Sequence, residues 1–520
     1  MNINNIPIID IFAGPGGLGE GFSSFRKRKA SPFNIKLSVE MEHDAHQTLS
    51  LRSFFRKFPK GKVPLRYYKF IQQNRIKYLD DLFKHYPTLA EKVQGEVKKA
   101  ELGKYPDEST VDLWIQRALK GNDKWVLIGG PPCQAYSTAG RSKNRSLKGY
   151  KPEKDNRNFL YLEYLRIIAN HWPAVFVMEN VRGILSSKVK KNLLFPKILK
   201  DLRAPAKVFN GNGSDRKHNY RVYSLVKPCS DKDLFGNPEF KPTEFIIKSE
   251  DYGVPQARHR VILLGIREDL GEIIPKTLKK KKAVTTEEVI GDLPVLRSGI
   301  SKGQDSYEEW FRTIYSIGEE SWVQNIENEE LHHEILKLLK RLEVPEHQRG
   351  KEFIRFNATS KYRKRWFYDK KLSGVCNSVT KEHMREDLKR YFFSSTFAKV
   401  TGRSPQIKDF PKELLPKHKN IQDAKKKGDW ADRFRVQVHN KPSTTVMSHL
   451  SKDGHYYIHY DPLQCRAFTV REAARLQTFP DNYFFMGSKT SQYIQVGNAV
   501  PPLLALQIAE IVHDIIERIA

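Results

Sequence analysis

The segment Trp125-Val126-Leu127-Ile128-Gly129-Gly130-Pro131-Pro132-Cys133-Gln134 constrains this chain more than any other. An apolar run stops at two glycines and two prolines, and a thiol follows on the turn. A proline pair fixes the backbone and suits neither a helix interior nor a strand ladder. Cys133 is therefore held at the carboxyl end of a buried strand, the edge where open α/β sheets place their ligands. A structural cysteine belongs inside an apolar run rather than past its end. An inert cysteine in a strand–loop connection is the alternative, and it would stand if this segment were alone.

The N-terminus supplies a second strand that ends in a special turn. Pro7-Ile8-Ile9-Asp10-Ile11-Phe12-Ala13 reads as a buried strand, Gly14-Pro15-Gly16-Gly17-Leu18-Gly19 as a glycine turn, and Glu20 to Phe25 as the start of a helix. Small residues at such a turn let a ligand approach the backbone. The next strand, Ile35 to Val39, ends in Glu40, placed to accept hydrogen bonds from ribose hydroxyls. No Lys-Ser/Thr pair follows the glycines, so the loop is not built for a triphosphate. A nucleoside without phosphates, such as S-adenosylmethionine, suits it better. A solvated strand end is the alternative for Glu40.

Two more strand termini carry chemistry. Ala174 to Met178 leads into Glu179-Asn180-Val181, and the link between strands near Glu244–Ile247 and Val261–Gly265 carries Gln256-Ala257-Arg258-His259-Arg260. Arginines at i and i+2 of a strand share a face, and buried guanidinium groups need carboxylate or substrate partners. A Cys, a Glu and an Arg pair, each at a strand end of one parallel sheet, predict one site.

Charge indicates the partner. With 90 Lys+Arg against 60 Asp+Glu over 520 residues, the net charge is +30, which suits a polyanion, nucleic acid above all. A merely basic surface is the alternative. Cys133, Cys229, Cys376 and Cys465 are far apart without a C-x-x-C pair; the spacing argues against a metal site or a disulfide framework and fits a reducing cytoplasm. No apolar run predicts a membrane span, and Met1 to Asn5 does not begin like a secretory leader.

Taken together, these residues resemble the DNA cytosine-5 methyltransferase family. The motifs are Asp10 to Gly17, Gly130-Pro131-Pro132-Cys133-Gln134-Ala135-Tyr136-Ser137, Glu179-Asn180-Val181, Gln256 to Arg260, Arg471-Glu472-Ala473-Ala474-Arg475-Leu476-Gln477-Thr478-Phe479-Pro480, and Gln495-Val496-Gly497-Asn498-Ala499-Val500-Pro501, all in the family's order. The resemblance covers roughly residues 1–270 and 440–520. It implies an α/β, Rossmann-like fold for a methyltransferase using S-adenosylmethionine, a mostly parallel sheet with helices on both faces, and a smaller target-recognition domain. It implies Cys133 as nucleophile, Glu179 at cytosine N3, Arg260 at O2 and Arg258 supporting the Cys/Glu arrangement, with the two arginine roles open to exchange. It lines the cofactor pocket with Phe12, Ala13, Gly14, Gly16, Gly17, Glu40, Met41, Pro132, Asn498 and Val500. Glu101 is the candidate for the family's adenine-reading acid. DNA contacts fall to Gln134, Ser137, Arg141, Arg145 and Thr445, the loop after Cys133 closing over the substrate.

The expected organisation is a catalytic domain over 1–290 with an insertion at about 51–120, a target-recognition domain over 291–464, and a returning segment over 465–520. Helices are predicted at Ile71–Lys84, Leu89–Leu102 and Glu329–Leu342, and Lys279 to Lys282 as a flexible linker. Basic and aromatic residues alternate in Lys361-Tyr362-Arg363-Lys364-Arg365-Trp366-Phe367-Tyr368, a pattern suited to phosphate contact and base stacking. The partner is double-stranded DNA and the enzyme is expected to be a monomer in the bacterial cytoplasm, with a restriction endonuclease of the same specificity acting separately. Competing readings are the tRNA-methylating branch of the family, whose Cys-Phe-Thr segment is missing here, a non-catalytic DNA-binding regulator, and an amino-group methyltransferase, which would carry Pro-Pro-Tyr/Phe in place of Pro-Pro-Cys.

Overall fold

A computed structural model describes residues 5–28, 30–73, 78–132, 160–189, 192–209, 218–416, 433–452 and 454–519. Among them, β1 (Ile6–Ile11), β2 (Phe33–Glu40), β3 (Val97–Lys99), β4 (Val126–Gly129), β5 (Val175–Val181), β6 (Tyr220–Tyr223), β7 (Ile246–Lys248) and β8 (His259–Arg267) form one sheet. Its order is β3-β2-β1-β4-β5-β8-β6, with β7 paired to the start of β8. The pairings from β3 to β5 are parallel; β8 runs antiparallel to β5, β6 and β7. The strand order reverses between β1 and β4, so the loops after these two strands open a crevice at the carboxyl edge.

The helices include α1 (Gly17–Ser24), α2 (His43–Arg56), α3 (Glu108–Leu119), α4 (Leu160–His171), α5 (Leu194–Arg203), α6 (Tyr307–Tyr315), α7 (Glu329–Lys340), α8 (Arg385–Thr401), α9 (Val470–Leu476), α10 (Lys489–Asn498) and α11 (Pro502–Arg518), with further helices between. Alternation along β1 sends Ile6 and Ile8 to one face of the sheet and Ile9 and Ile11 to the other. The first pair packs with Leu18 and Phe22 of α1 and Leu504 and Ile508 of α11. The second packs with Ile115 of α3, Leu165 of α4 and Phe195 of α5. A separate core gathers Trp310 of α6, Leu338 of α7 and Phe392 of α8. The segment Lys489–Arg518 is apolar and long enough to cross a bilayer, yet its most apolar stretch is 78% buried within the fold, and the segment divides into α10 and α11 around Ala499-Val500-Pro501.

Four expectations change. The predicted helix at Leu89–Leu102 is a helix over Pro87–Glu96 followed by β3. A three-residue edge strand is too short to show a period of two, and its pairing with β2 decides it. The region read as an insertion thus holds a strand and a helix of the main fold, β3 and α3. Its other part packs Phe54, Tyr67 and Phe70 against Leu372 and Phe484, and Tyr68 donates to Asp369 Oδ2 at 2.8 Å. The predicted helix Ile71–Lys84 is two short helices, Leu65–Gln72 and Leu79–Phe83. The lysine run is not a free linker: Leu278 is buried and its N–H donates to Leu225 O at 2.8 Å, as that of Lys281 does to Asp251 O. The helix expected at Glu329–Leu342 is α7, started by Asn328, whose Oδ1 accepts from Leu331 N at 2.8 Å.

Candidate active site and cofactor cradle

The glycine turn is shaped by contact with the C-terminal segment. Gly16 has φ 95°, and a Cβ on Gly17 would lie 2.1 Å from Val500 O. No larger residue fits between α1 and the Asn498–Val500 turn without moving one of them. Phe12, at φ 53°, leaves β1 half-buried, and Ala13 N–H donates to Val39 O at 3.1 Å. Glu40 is 7% exposed and accepts from Gly14 N at 2.7 Å and Glu42 N at 2.9 Å. Burial raises its pKa against these two bonds. A carboxylate has acceptor capacity beyond two bonds, so Glu40 can still take ribose hydroxyls. Met41 is exposed and so is Asn498. Glu101 follows β3, where Ala100 N–H bonds Glu40 O at 3.1 Å, but its carboxylate pairs with Lys104 at 2.6 Å. A tight glycine turn, a ring at its rim and a buried carboxylate together fit a nucleoside-type cofactor.

At the same edge, Arg260 Nε lies 3.0 Å from Glu179 Oε1. Both belong to the β5–β8 pairing, where Arg260 is opposite Val181 and Ile262 opposite Glu179. Arg260 is thus at the start of an antiparallel strand, not at the end of a parallel one; reversing the strand brings its first residues to the carboxyl edge. Burial lowers the Arg260 pKa and the Glu179 charge opposes this. Glu179 Oε2 lies 3.0 Å from where a Cβ on Gly130 would stand, and Asn180 Nδ2 donates to Pro131 O at 3.2 Å. Glu179-Asn180 therefore braces the Pro-Pro turn that leads to Cys133. Cys133, Gln134, Ser137, Arg141 and Arg145 lie outside the described residues; Pro132 is the last one described before them. Of the other cysteines, burial raises the thiol pKa of Cys229 and Cys465, and Cys376 is buried with its thiol 3.5 Å from Ile71 O.

Arg258 takes a different direction from Arg260. It is 1% exposed and donates through Nη1 to Val446 O at 3.0 Å and Gly497 O at 3.1 Å. Burial, then the Arg260 charge, holds its pKa well below the ordinary range. It ties the start of β8 to Val446 and to Gly497 of α10, two points about fifty residues apart in the chain. Gln256 does the same through Leu476 O, Gln477 Oε1 and Val446 N. Thr445 uses its hydroxyl to donate to Ala257 O at 2.6 Å.

Sequence reasoning missed Tyr483 and Arg52. Tyr483 O–H donates to Pro15 O inside the glycine turn. Arg52 packs over the Phe55 and Tyr483 rings at 4.1 and 4.8 Å and bonds Glu20 Oε2 at 2.8 Å. Tyr483 stands three residues past the Phe479-Pro480 motif, so proximity was the available signal. The basic-aromatic run also differs from expectation. Its rings turn inward: Tyr362 O–H bonds Gly253 O at 2.6 Å, Trp366 Nε1 bonds Thr478 O at 2.8 Å, and Phe367 is 4% exposed. Its cations, Lys361, Arg363, Lys364 and Arg365, face solvent. The segment can meet phosphates, but these three rings are committed to packing.

The reversing sheet, the glycine cradle and the Glu179–Arg260 pair beside a Pro-Pro turn define an α/β methyltransferase. The model of the C-5 cytosine-specific DNA methylase family matches residues 100–204 and 233–513. A type II methyltransferase of Bacillus paralicheniformis, M.Bpa9945I, is 32% identical over 98% of this chain and 99% of its own length. M.DdeI of Desulfomicrobium norvegicum is 27% identical over 98% and 89%, and the DNA (cytosine-5-)-methyltransferase M.ApeKI of Aeropyrum pernix 26% over 77% and 83%. The solved structure of a candidate DNA modification methyltransferase from an E. coli prophage shares the fold, with a TM-score of 0.50 and 19% identity over 98% of this chain and 99% of that one. The chain belongs to the C-5 cytosine-specific DNA methylase family and is a DNA (cytosine-5-)-methyltransferase. Membership implies S-adenosylmethionine as its methyl source.

Proposed function

We propose that the enzyme methylates C5 of a cytosine flipped out of a specific duplex sequence, through a covalent Cys133–C6 intermediate, as the modification half of a restriction–modification system in the bacterial cytoplasm. The Glu179–Arg260 pair, set against the Pro-Pro turn one residue before Cys133, is the observation that carries this reading. A stacked base hides C6 from side chains, so the cytosine must leave the duplex. Glu179 engages N3 and Arg260 engages O2. Arg260 Nη1 is used on His259 O, and its other terminal nitrogen has no hydrogen bond among the described residues.

The Cys133 thiolate adds to C6, the ring's C5=C6 electron pair becomes enamine-like, and Glu179 and Arg260 stabilise the charge that reaches N3 and O2. When bound, S-adenosylmethionine supplies an electrophilic methyl group, and Phe12, Gly14 to Gly17, Glu40, Met41 and Val500 hold it. Loss of the C5 proton then restores the double bond and expels the Cys133 thiolate. Residues 291–464 carry target recognition.

Fluorine at C5 cannot leave as a cation. A duplex carrying 5-fluorocytosine at the target should therefore trap a denaturation-resistant adduct on Cys133 when the cofactor is present. Cys133→Ser should give none. Normal turnover by Cys133→Ser, or an adduct on Cys229, Cys376 or Cys465, would refute the mechanism.

A further inference from the structure

The far end of α1 and the first turns of α11 border a cavity of about 320 Å³ that shares no residue with the cofactor cradle. Three cations from distant parts of the chain line it: Arg26 after α1, Lys281 of the lysine run, and Arg363 of the basic-aromatic segment. Glu510 is the one carboxylate on its described lining. Each cation is carried by fixed backbone. Arg26 Nη1 bonds Ser23 O at 2.6 Å and Phe25 O at 2.9 Å, which holds the guanidinium over the end of α1. Lys281 is anchored by its N–H on Asp251 O at 2.8 Å. Arg363 has φ 45°, a left-handed conformation unfavourable for a side-chain-bearing residue, and its neighbour Tyr362 is tied to Gly253.

The four charged residues are exposed to solvent along the cavity, and the surplus of positive charge among them is two. Burial and then the Arg363 charge lower the Lys281 pKa, against Glu510; burial lowers that of Arg26, against Glu20. A bound anion would relieve both. Guanidinium forks and an ammonium together match the oxygens of a tetrahedral phosphate group. The volume is at the lower end for ligand pockets, and Phe25 and Tyr252 supply apolar wall.

We propose that this cavity is a phosphate-binding site, filled by a backbone phosphate of duplex DNA running past the α1–α11 side or by free phosphate. Only the DNA source rests on the proposed function. The test compares the full chain with the triple variant Arg26→Gln/Lys281→Gln/Arg363→Gln. Thermal unfolding in sodium phosphate, against chloride at equal ionic strength, reads the free anion. Binding of a long nonspecific duplex across salt concentrations reads the backbone. Cofactor affinity and unfolding in chloride should be unchanged and serve as the fold control.

A phosphate-dependent rise in melting temperature that the triple variant loses identifies free phosphate. A fall of about 1 in the slope of log affinity against log salt identifies the DNA backbone, since one neutralised phosphate contributes about 0.9. If the triple variant does not fold, Lys281→Gln alone must show a smaller change of the same kind. No change in either measurement overturns the proposal. Failure of the wild-type enzyme to methylate cytosine would instead overturn the proposed function, with the phosphate measurement still reading the cavity.

Discussion

Asp10 is 1% exposed, lies against Gly19 of α1, and has no hydrogen bond to either carboxylate oxygen among the described residues. Burial raises its pKa from 3.8 to about 8, with the Arg56 charge opposing and Glu40 adding to the rise. The folded chain therefore holds this proton more tightly than the unfolded one. Stability is lost as pH climbs from 3.8 through about 8, by up to about 6 kcal/mol. Asp10→Asn cannot ionise, so its melting temperature relative to wild type should be several degrees more favourable at pH 8.5 than at pH 5. An equal difference at both pH values would mean Asp10 does not hold its proton. Tyr483 gives a second residue-scale expectation. Tyr483→Phe keeps the ring beside Arg52 but leaves Pro15 O without its donor, a loss of about 1–3 kcal/mol in a buried setting. S-adenosylmethionine affinity should fall about tenfold by calorimetry with the fold intact. Unaltered affinity would mean that the glycine turn holds its shape without the bond.

Element packing decides how the cradle is closed. α1 and α11 approach so closely that Gly17 faces Val500 O and Gly21 faces Pro502 O and Ala505. Gly17→Ala should therefore push the Asn498–Val500 turn away, costing about 1–3 kcal/mol in stability and weakening cofactor binding at least tenfold. An alanine variant with wild-type affinity and melting temperature would show that the turn yields freely. The glycine turn was legible before the structure because its glycines are local punctuation between a strand and a helix. Val500 as the partner was legible only through family resemblance. The edge strand β3 was not legible, because three residues carry no period and the pairing with β2 is a long-range event.

At the scale of the molecule, Arg258 and Gln256 join the catalytic edge to Val446, near the end of the proposed recognition region, and to Gln477 and Gly497 of the returning segment, while Trp310, Leu338 and Phe392 build a separate core. If that lobe reads the DNA, replacing 291–464 by the equivalent part of a relative should move methylation to the donor's sequence. Sequencing of modified cytosines after expression would show it. An active chimera with unchanged site choice would place recognition elsewhere, for instance in residues 51–120. Arg475 of the returning segment, paired with Asp292 at 2.6 Å and Asp481 at 2.8 Å and fully buried, is tied to the first residues of the proposed recognition region, so a working graft must keep all three.

The amino-acid sequence by itself determined which residues end strands at the reactive edge: Phe12 and Gly14 to Gly17, Glu40, Pro131-Pro132 before Cys133, and Glu179. These signals are local, written in apolar runs cut off by glycine, proline or a carboxylate. What only the tertiary structure decided is how chain-distant groups share that edge. The antiparallel pairing of β8 with β5 brings Arg260, not Arg258, onto Glu179. Packing into the core that holds Phe367, Phe468 and Phe479 turns Tyr362, Trp366 and Phe367 inward and leaves their basic neighbours outside. Tyr483 reaches Pro15 across 468 residues of chain. A one-dimensional pattern records which face of an element is apolar; the partner that covers the face is chosen by three-dimensional packing.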